Sequence, residues 1–156
     1  MNPKHLKIRV DQVESLSKAS SCPRRKVGAI ILDPSSNSVI SDGYNGPPRG
    51  ACGDKCGGTS CLRDDYKIAS GTNNDVGCHH AEANALMNAA RHGSITLGKW
   101  LLVSCDPCLM CAKLIHHAGI SRVYCPNNTT AHLAGLAYLA SNNVELKTLG
   151  ADDNDD

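Results

Sequence analysis

Two short segments carry residues whose types and spacing could do chemistry together: His80-Ala81-Glu82 and Pro107-Cys108-Leu109-Met110-Cys111. His80, Cys108 and Cys111 are borderline or soft donors suited to zinc, and Glu82 is a carboxylate left over beside them. Three protein ligands leave the fourth position of a tetrahedral zinc to water, which is the catalytic rather than the structural arrangement. Zinc lowers the pKa of that water to roughly 7, so a zinc-bound hydroxide is expected near neutral pH. Glu82 is placed to take the water proton and to pass it to the group under attack, as base and acid in turn. The competing reading is a structural zinc site with a bystander glutamate, and it gives Glu82 nothing to do.

The elements that must position these groups follow from periodicity. Leu6, Val10, Val13 and Leu16 recur at helical spacing, so residues 4–19 are expected to form a helix. The apolar run 27–32 reads as a strand ending at the turn cluster Asp33-Pro34-Ser35-Ser36-Asn37, with 39–44 as its partner. Beyond these, helices are expected at 80–91, 108–118 and 130–141, and strands at 100–104, 122–125 and 144–149. Strands alternating with helices imply an α/β fold with parallel neighbours and helices on the sheet faces. Cys108 and Cys111 then share one helix face. Pro107 suits the helix start, where its missing N–H would be unpaired anyway. The positive helix end favours both thiolates. Residues 45–77 are glycine-rich and irregular, too long for an idle loop, and read as functional or metal-stapled.

Composition bounds the rest. A chain of 156 residues, 41% of them hydrophobic, is long enough for one domain with a core, expected over 1–150. Residues 151–156 read as a solvated, disordered acidic tail. No apolar run is long enough to span a membrane, and Met1 to Lys7 lack an export segment, so the expected location is cytoplasmic. A net charge of +1 creates no long-range field for a polyanion, which speaks against nucleic acid as partner. A small phosphorylated ligand needs only a local basic spot. Nine cysteines without an export signal point to metal rather than disulfides. Phe is absent, so the core must be aliphatic.

The His-x-Glu and Pro-Cys-x-x-Cys pair is the zinc nucleobase deaminase signature. With Val27-Gly28-Ala29, Gly43-Tyr44-Asn45-Gly46, His80-Ala81-Glu82-Ala83-Asn84-Ala85 and Cys111-Ala112-Lys113, the chain resembles the deoxycytidylate (dCMP) deaminases of the cytidine deaminase superfamily, the bacteriophage members above all. The resemblance covers about residues 5 to 126. It implies a three-layer fold, a five-stranded mixed sheet with helices on both faces, and hydrolysis of dCMP to dUMP and ammonia feeding dTMP synthesis. It also implies a homohexamer activated by dCTP and inhibited by dTTP.

The resemblance assigns the 5′-phosphate to Ser20 and Arg24 and the deoxyribose hydroxyl to Asn45. An arginine fork suits a phosphate. Arg24-Arg25-Lys26 could equally be a solvated charge run, and Asn45 a turn residue before Gly46. Many relatives carry an aromatic residue where this chain has Asp106, which leaves stacking on the base unassigned; Tyr124 is a candidate or a core residue. Phage relatives suggest a second, structural zinc held by Cys22 and Cys78 together with Cys52 and Cys56, Cys61 or His79 as further options. Buried free thiols are the alternative. Cys105 and Cys125 lie in expected strands and read as core. Competing functions are tRNA adenosine deamination, which wants a basic surface; deamination of free cytidine, which needs no Ser20–Arg24 pair; and a zinc-stapled binding module, which has no use for Glu82.

Overall fold

Gly28-Ala29-Ile30-Ile31-Leu32 is a continuous apolar run, the mark of a strand covered on both faces, and it forms β1 (Gly28–Asp33) inside the sheet. The computed structural model describes residues 2–47, 59–69, 72, 74, 76–128 and 132–150. In chain order the elements are α1 (Pro3–Ser17), β1, β2 (Ser38–Tyr44), α2 (Leu62–Asp65), α3 (Ala81–Arg91), β3 (Trp100–Val103), α4 (Leu109–His117), β4 (Arg122–Cys125), α5 (Leu133–Ser141) and β5 (Glu145–Thr148). Every expected helix and strand is present, displaced by at most a few residues at its ends. The short α2, inside the stretch read as irregular, is additional.

The five strands lie in the order β2-β1-β3-β4-β5. β1 runs antiparallel to β2 and β3, whereas β3, β4 and β5 are parallel, so the sheet is mixed as expected. Parallel neighbours need crossovers, and α4 and α5 supply them. Alternation along the strands divides the core into two layers. Ile30, Leu32, Leu102 and Tyr124 meet Leu6 and Val13 of α1. Ala29, Ile31, Leu101, Val103 and Val123 meet α3, α4 and α5 on the other face. Tyr124 is therefore the core residue of the two readings: it is wholly buried beneath α1, beside Trp100. No helix among the described residues is long and apolar enough to cross a membrane. The tail 151–156 lies outside the described residues.

Small residues bring the helices close to the parts that matter. Ala81, Ala85 and Ala89 line the buried stripe of α3, and a Cβ on Gly43 of β2 would stand 2.4 Å from the Ala85 amide nitrogen. A Cβ on Gly135 of α5 would stand 2.1 Å from the Pro107 carbonyl oxygen and 2.9 Å from the Cys108 carbonyl carbon. Gly135 thus lets α5 rest on the peptide that carries Cys108. In an exposed helix, Gly→Ala gains up to about 1 kcal/mol. Here Gly135→Ala is expected to have the opposite sign, losing about 1–3 kcal/mol to overpacking, as measured by urea unfolding. A stabilised variant would show that this contact is loose.

Candidate active site

Both ligand-bearing segments end at helix N-termini. His80 is the N-cap of α3, with extended backbone (φ −76°, ψ 153°) and no capping bond from its side chain. Cys108 holds the same place on α4 (φ −68°, ψ 165°). Both helices begin one residue later than expected, because these residues bend the chain and leave their side chains free. Cys111 follows one turn into α4 and Glu82 at the second position of α3. His80 is fixed from behind by a two-way bridge: Gly46 N–H donates to the His79 carbonyl at 3.1 Å and His79 N–H to the Gly46 carbonyl at 2.8 Å. Asn84 Nδ2 donates to the Tyr44 carbonyl at 2.8 Å and Asn88 Nδ2 to the Asp42 carbonyl at 2.8 Å. These bonds tie α3 to the edge strand.

On the other side, the Ser104 N–H donates to the Gly28 carbonyl at 3.0 Å, and the Gly28 N–H to Ser104 Oγ at 3.0 Å. The end of β3 is thereby joined to the start of β1 just before the cysteines. Asp106 is buried. Its Oδ1 accepts from the Asn127 N–H at 2.5 Å and its Oδ2 from the Asn128 N–H at 3.1 Å. The position held by an aromatic residue in many relatives is therefore a carboxylate that fastens the β4–α5 loop.

The three donors converge. His80 Nδ1 is 3.5 Å from Cys108 Sγ and 3.4 Å from Cys111 Sγ. All three ligand atoms lie within 4.8 Å of one another, and no other such group of three exists among the described residues. Tetrahedral zinc, with bonds of about 2.0–2.3 Å, sets its ligands about 3.5 Å apart, so the donor set and spacing fit this metal. The charges fit as well. Hydrogen bonds from Cys111 and His80 hold the Cys108 thiol far below its ordinary value, and the same shared proton, with burial, pushes Cys111 up. The Cys108 thiolate raises the basicity of His80. A metal that requires deprotonated thiols would take the place of that proton. Burial pushes the Glu82 carboxyl up to about 7.

The triad opens into a cavity of about 670 Å³, within the usual range for a small-molecule site. His80, Glu82 and Cys108 line it together with Arg24 and Asn45. Arg24 donates to the Ile68 carbonyl at 3.1 Å and pairs with Asp64 at 3.1 Å, so it is not simply a solvated charge. Asn45 spans the chain: Oδ1 accepts from the Val27 N–H and Nδ2 donates to the Arg25 carbonyl, both at 2.8 Å. One lone pair and one N–H of its amide have no partner among the described residues. Ser20 is buried at the end of α1, where its Oγ accepts from the Cys22 N–H at 3.2 Å, and it is not among the residues lining the cavity.

The remaining cysteines divide. Cys22, Cys61 and Cys78 all line the cavity, none of them in a disulfide; Cys52 and Cys56 lie outside the described residues. Cys125 is core as expected. Cys105 is core only in part: it packs against the main core cluster, but β3 stops at Val103 and Cys105 also lines the cavity, with Arg25 Nη1 at 3.2 Å from its sulfur. Arg63, Lys113 and His132 also line the cavity and were not marked as contacts by the sequence. Arg63 sits where no periodicity signals structure, and Lys113 is an ordinary lysine on a helix.

Comparison with known proteins agrees with this geometry. The family described as "Cytidine and deoxycytidylate deaminase zinc-binding region" matches residues 5–126. Deoxycytidylate deaminase of Schizosaccharomyces pombe is 37% identical over 136 residues, covering 84% of this chain and 39% of the yeast protein. That of Mycobacterium phage D29 is 38% identical over 122 residues, covering 72% of this chain and 87% of the phage protein. The crystal structure of dCMP deaminase from cyanophage S-TIM5 in complex with dCMP and dUMP superimposes with a TM-score of 0.76 at 28% identity, covering 95% and 98% of the two chains. The chain thus spans well under half the length of the yeast relative and nearly all of the phage structure.

If the triad is the metal centre, Cys111→Ser should lower the zinc content of purified protein by one ion per chain, as measured by plasma mass spectrometry. Unchanged zinc would place the ion elsewhere.

Proposed function

The chain belongs to the cytidine and deoxycytidylate deaminase family, and we propose that it converts dCMP to dUMP and ammonia by hydrolysis at C4 of the base. The observation that carries this reading is Glu82, buried at the mouth of a three-ligand site and sharing a cavity with arginines. When bound by His80, Cys108 and Cys111, zinc supplies a nucleophilic water at neutral pH. Glu82 takes the proton of the attacking water and delivers it to the ring nitrogen next to C4. It then carries a proton to the departing amine. A carboxyl that titrates at about 7 can do both. The burial that raises it also excludes bulk water from the step.

Arg24 is one cation we assign to the 5′-phosphate, with Ser20 shaping the turn that presents it. We assign the remaining lone pair and N–H of Asn45 to the sugar hydroxyl. A second, structural zinc on Cys22 and Cys78, completed by Cys52 and Cys56, is supported by the placement of Cys22 and Cys78 on one cavity wall and would pin the 45–77 segment beside α1. Cysteines outside disulfides suit a reducing cytoplasm. Assembly as a homohexamer, activation by dCTP and inhibition by dTTP rest on family membership.

Ammonia release should be fast from dCMP and slow from deoxycytidine, dCTP and a tRNA anticodon stem. Glu82→Gln should keep its zinc and lose about 10³-fold or more in kcat; a variant that retains much of its turnover would mean that another group moves the protons. Regulation is tested by the velocity curve: dCTP should raise and dTTP lower the rate at subsaturating dCMP. A hyperbolic curve indifferent to both would remove the regulatory part and leave the reaction.

A further inference from the structure

Arginines on the cavity wall differ in how the protein balances their charge. Arg25 and Lys113 are exposed. Arg24 is paired with Asp64. Arg63, in α2, is partly buried, and among the described residues no carboxylate lies within ion-pair distance of it. Its Nη2 donates to the Thr72 carbonyl at 2.8 Å, to Thr72 Oγ1 at 3.1 Å and to the Ala69 carbonyl at 3.4 Å. Its Nε is buried with no hydrogen-bond partner, and its Nη1 makes no hydrogen bond to the described residues.

A guanidinium cannot shed its proton. Burying one without an anion is costly, and an unsatisfied buried donor in a native site calls for a reason. The protein nonetheless holds Arg63 in place. Gly77 (φ +121°) makes room for its stem, with an ideal Cβ position only 3.1 Å from Arg63 Cγ and 3.2 Å from Cδ. Arg63 and Arg24 also grip consecutive carbonyls, those of Ala69 and Ile68, so the two guanidinium groups share one short segment.

We propose that Arg63 is the specificity-determining contact for the substrate's phosphate, Nη1 donating to a phosphoryl oxygen while Nη2 keeps its hold on Thr72. This inference rests on the nucleotide reading above. The dianion supplies Arg63 with a counter-charge that no described residue provides, and Arg24, already balanced by Asp64, contributes less. A phosphate-free nucleoside leaves Arg63 uncompensated, so discrimination arises from an unpaired charge as well as from a new bond.

The test is calorimetric binding of dUMP and of deoxyuridine to the zinc-loaded protein, with zinc content checked in every variant. Arg63→Gln should weaken dUMP by about 100-fold, the scale of a charge-assisted hydrogen bond, and leave deoxyuridine nearly unchanged. Arg63→Lys should recover part of the preference, and Arg24→Ala should cost less than Arg63→Gln. Equal weakening of both ligands, a preserved preference for dUMP, or a larger cost from Arg24→Ala would overturn the inference. Turnover of dCMP, measured in parallel, separates the two readings. An Arg63-dependent preference for dUMP without deamination would refute the reaction and keep this contact. Deamination with the preference intact in Arg63→Gln would do the reverse.

Discussion

Three donor atoms held within 4.8 Å of one another cannot all carry their metal-binding charge without a cation between them. Two thiolates that close repel, and one must keep a proton until something more positive replaces it. The protein accepts this cost at the place best able to bear it. The N-termini of α3 and α4 converge there, each offering the positive end of a helix. His80 and Cys108 stand as N-caps whose side chains make no capping bond. Much of the remaining structure brings those two helix ends together and keeps them together.

That constraint explains residues that otherwise look like arbitrary family marks. In Gly43-Tyr44-Asn45-Gly46, each position has a physical task. Gly43 lets α3 lie against β2, the Tyr44 carbonyl receives Asn84, Asn45 stitches residues 25–27 to the strand end, and Gly46 bridges to His79. The ligand His80 is therefore set by a chain of backbone bonds rather than by packing alone. Gly135 plays the matching part beneath Cys108. Asp106 does for the β4–α5 loop, by accepting two consecutive N–H groups, something an aromatic side chain could not do.

How much of this was legible in the sequence depended on whether a residue announced itself by period or by contact. The ligands, Glu82 and every core strand follow from spacing and apolar pattern; element ends moved by up to three residues, and the starts of α3 and α4 by the single residue that a cap occupies. Tyr124 was open between cavity and core because alternation along a four-residue strand needs an anchored register, and the β3–β4 pairing supplies it. Cys105 was read as core because the apolar run seemed to continue past Val103. Only the bonds of Ser104 to Gly28 show where the strand ends. Arg63 had no periodic signal at all, since its segment is held by arginine–carbonyl bonds rather than by a buried stripe.

A net charge of +1 hides an uneven distribution. Among the described residues the cavity collects Arg24, Arg25, Arg63 and Lys113 against the buried acidic pair Glu82 and Asp106. Asp106 accepts two backbone N–H groups, and burial pushes the Glu82 carboxyl up to about 7. The cations outnumber the acids on this wall. The two demands on such a site, a dry carboxyl for proton transfer and a positive wall for an anion, would conflict if they met at one point, because a cation beside Glu82 would return it to the ordinary carboxylate range. Burial is the largest influence on Glu82, with His80 lowering and Cys108 raising it, while Arg63 acts on His80. Glu82 stands at the start of α3 and the cations on other segments of the wall, so one small cavity can hold a raised carboxyl and a positive surface.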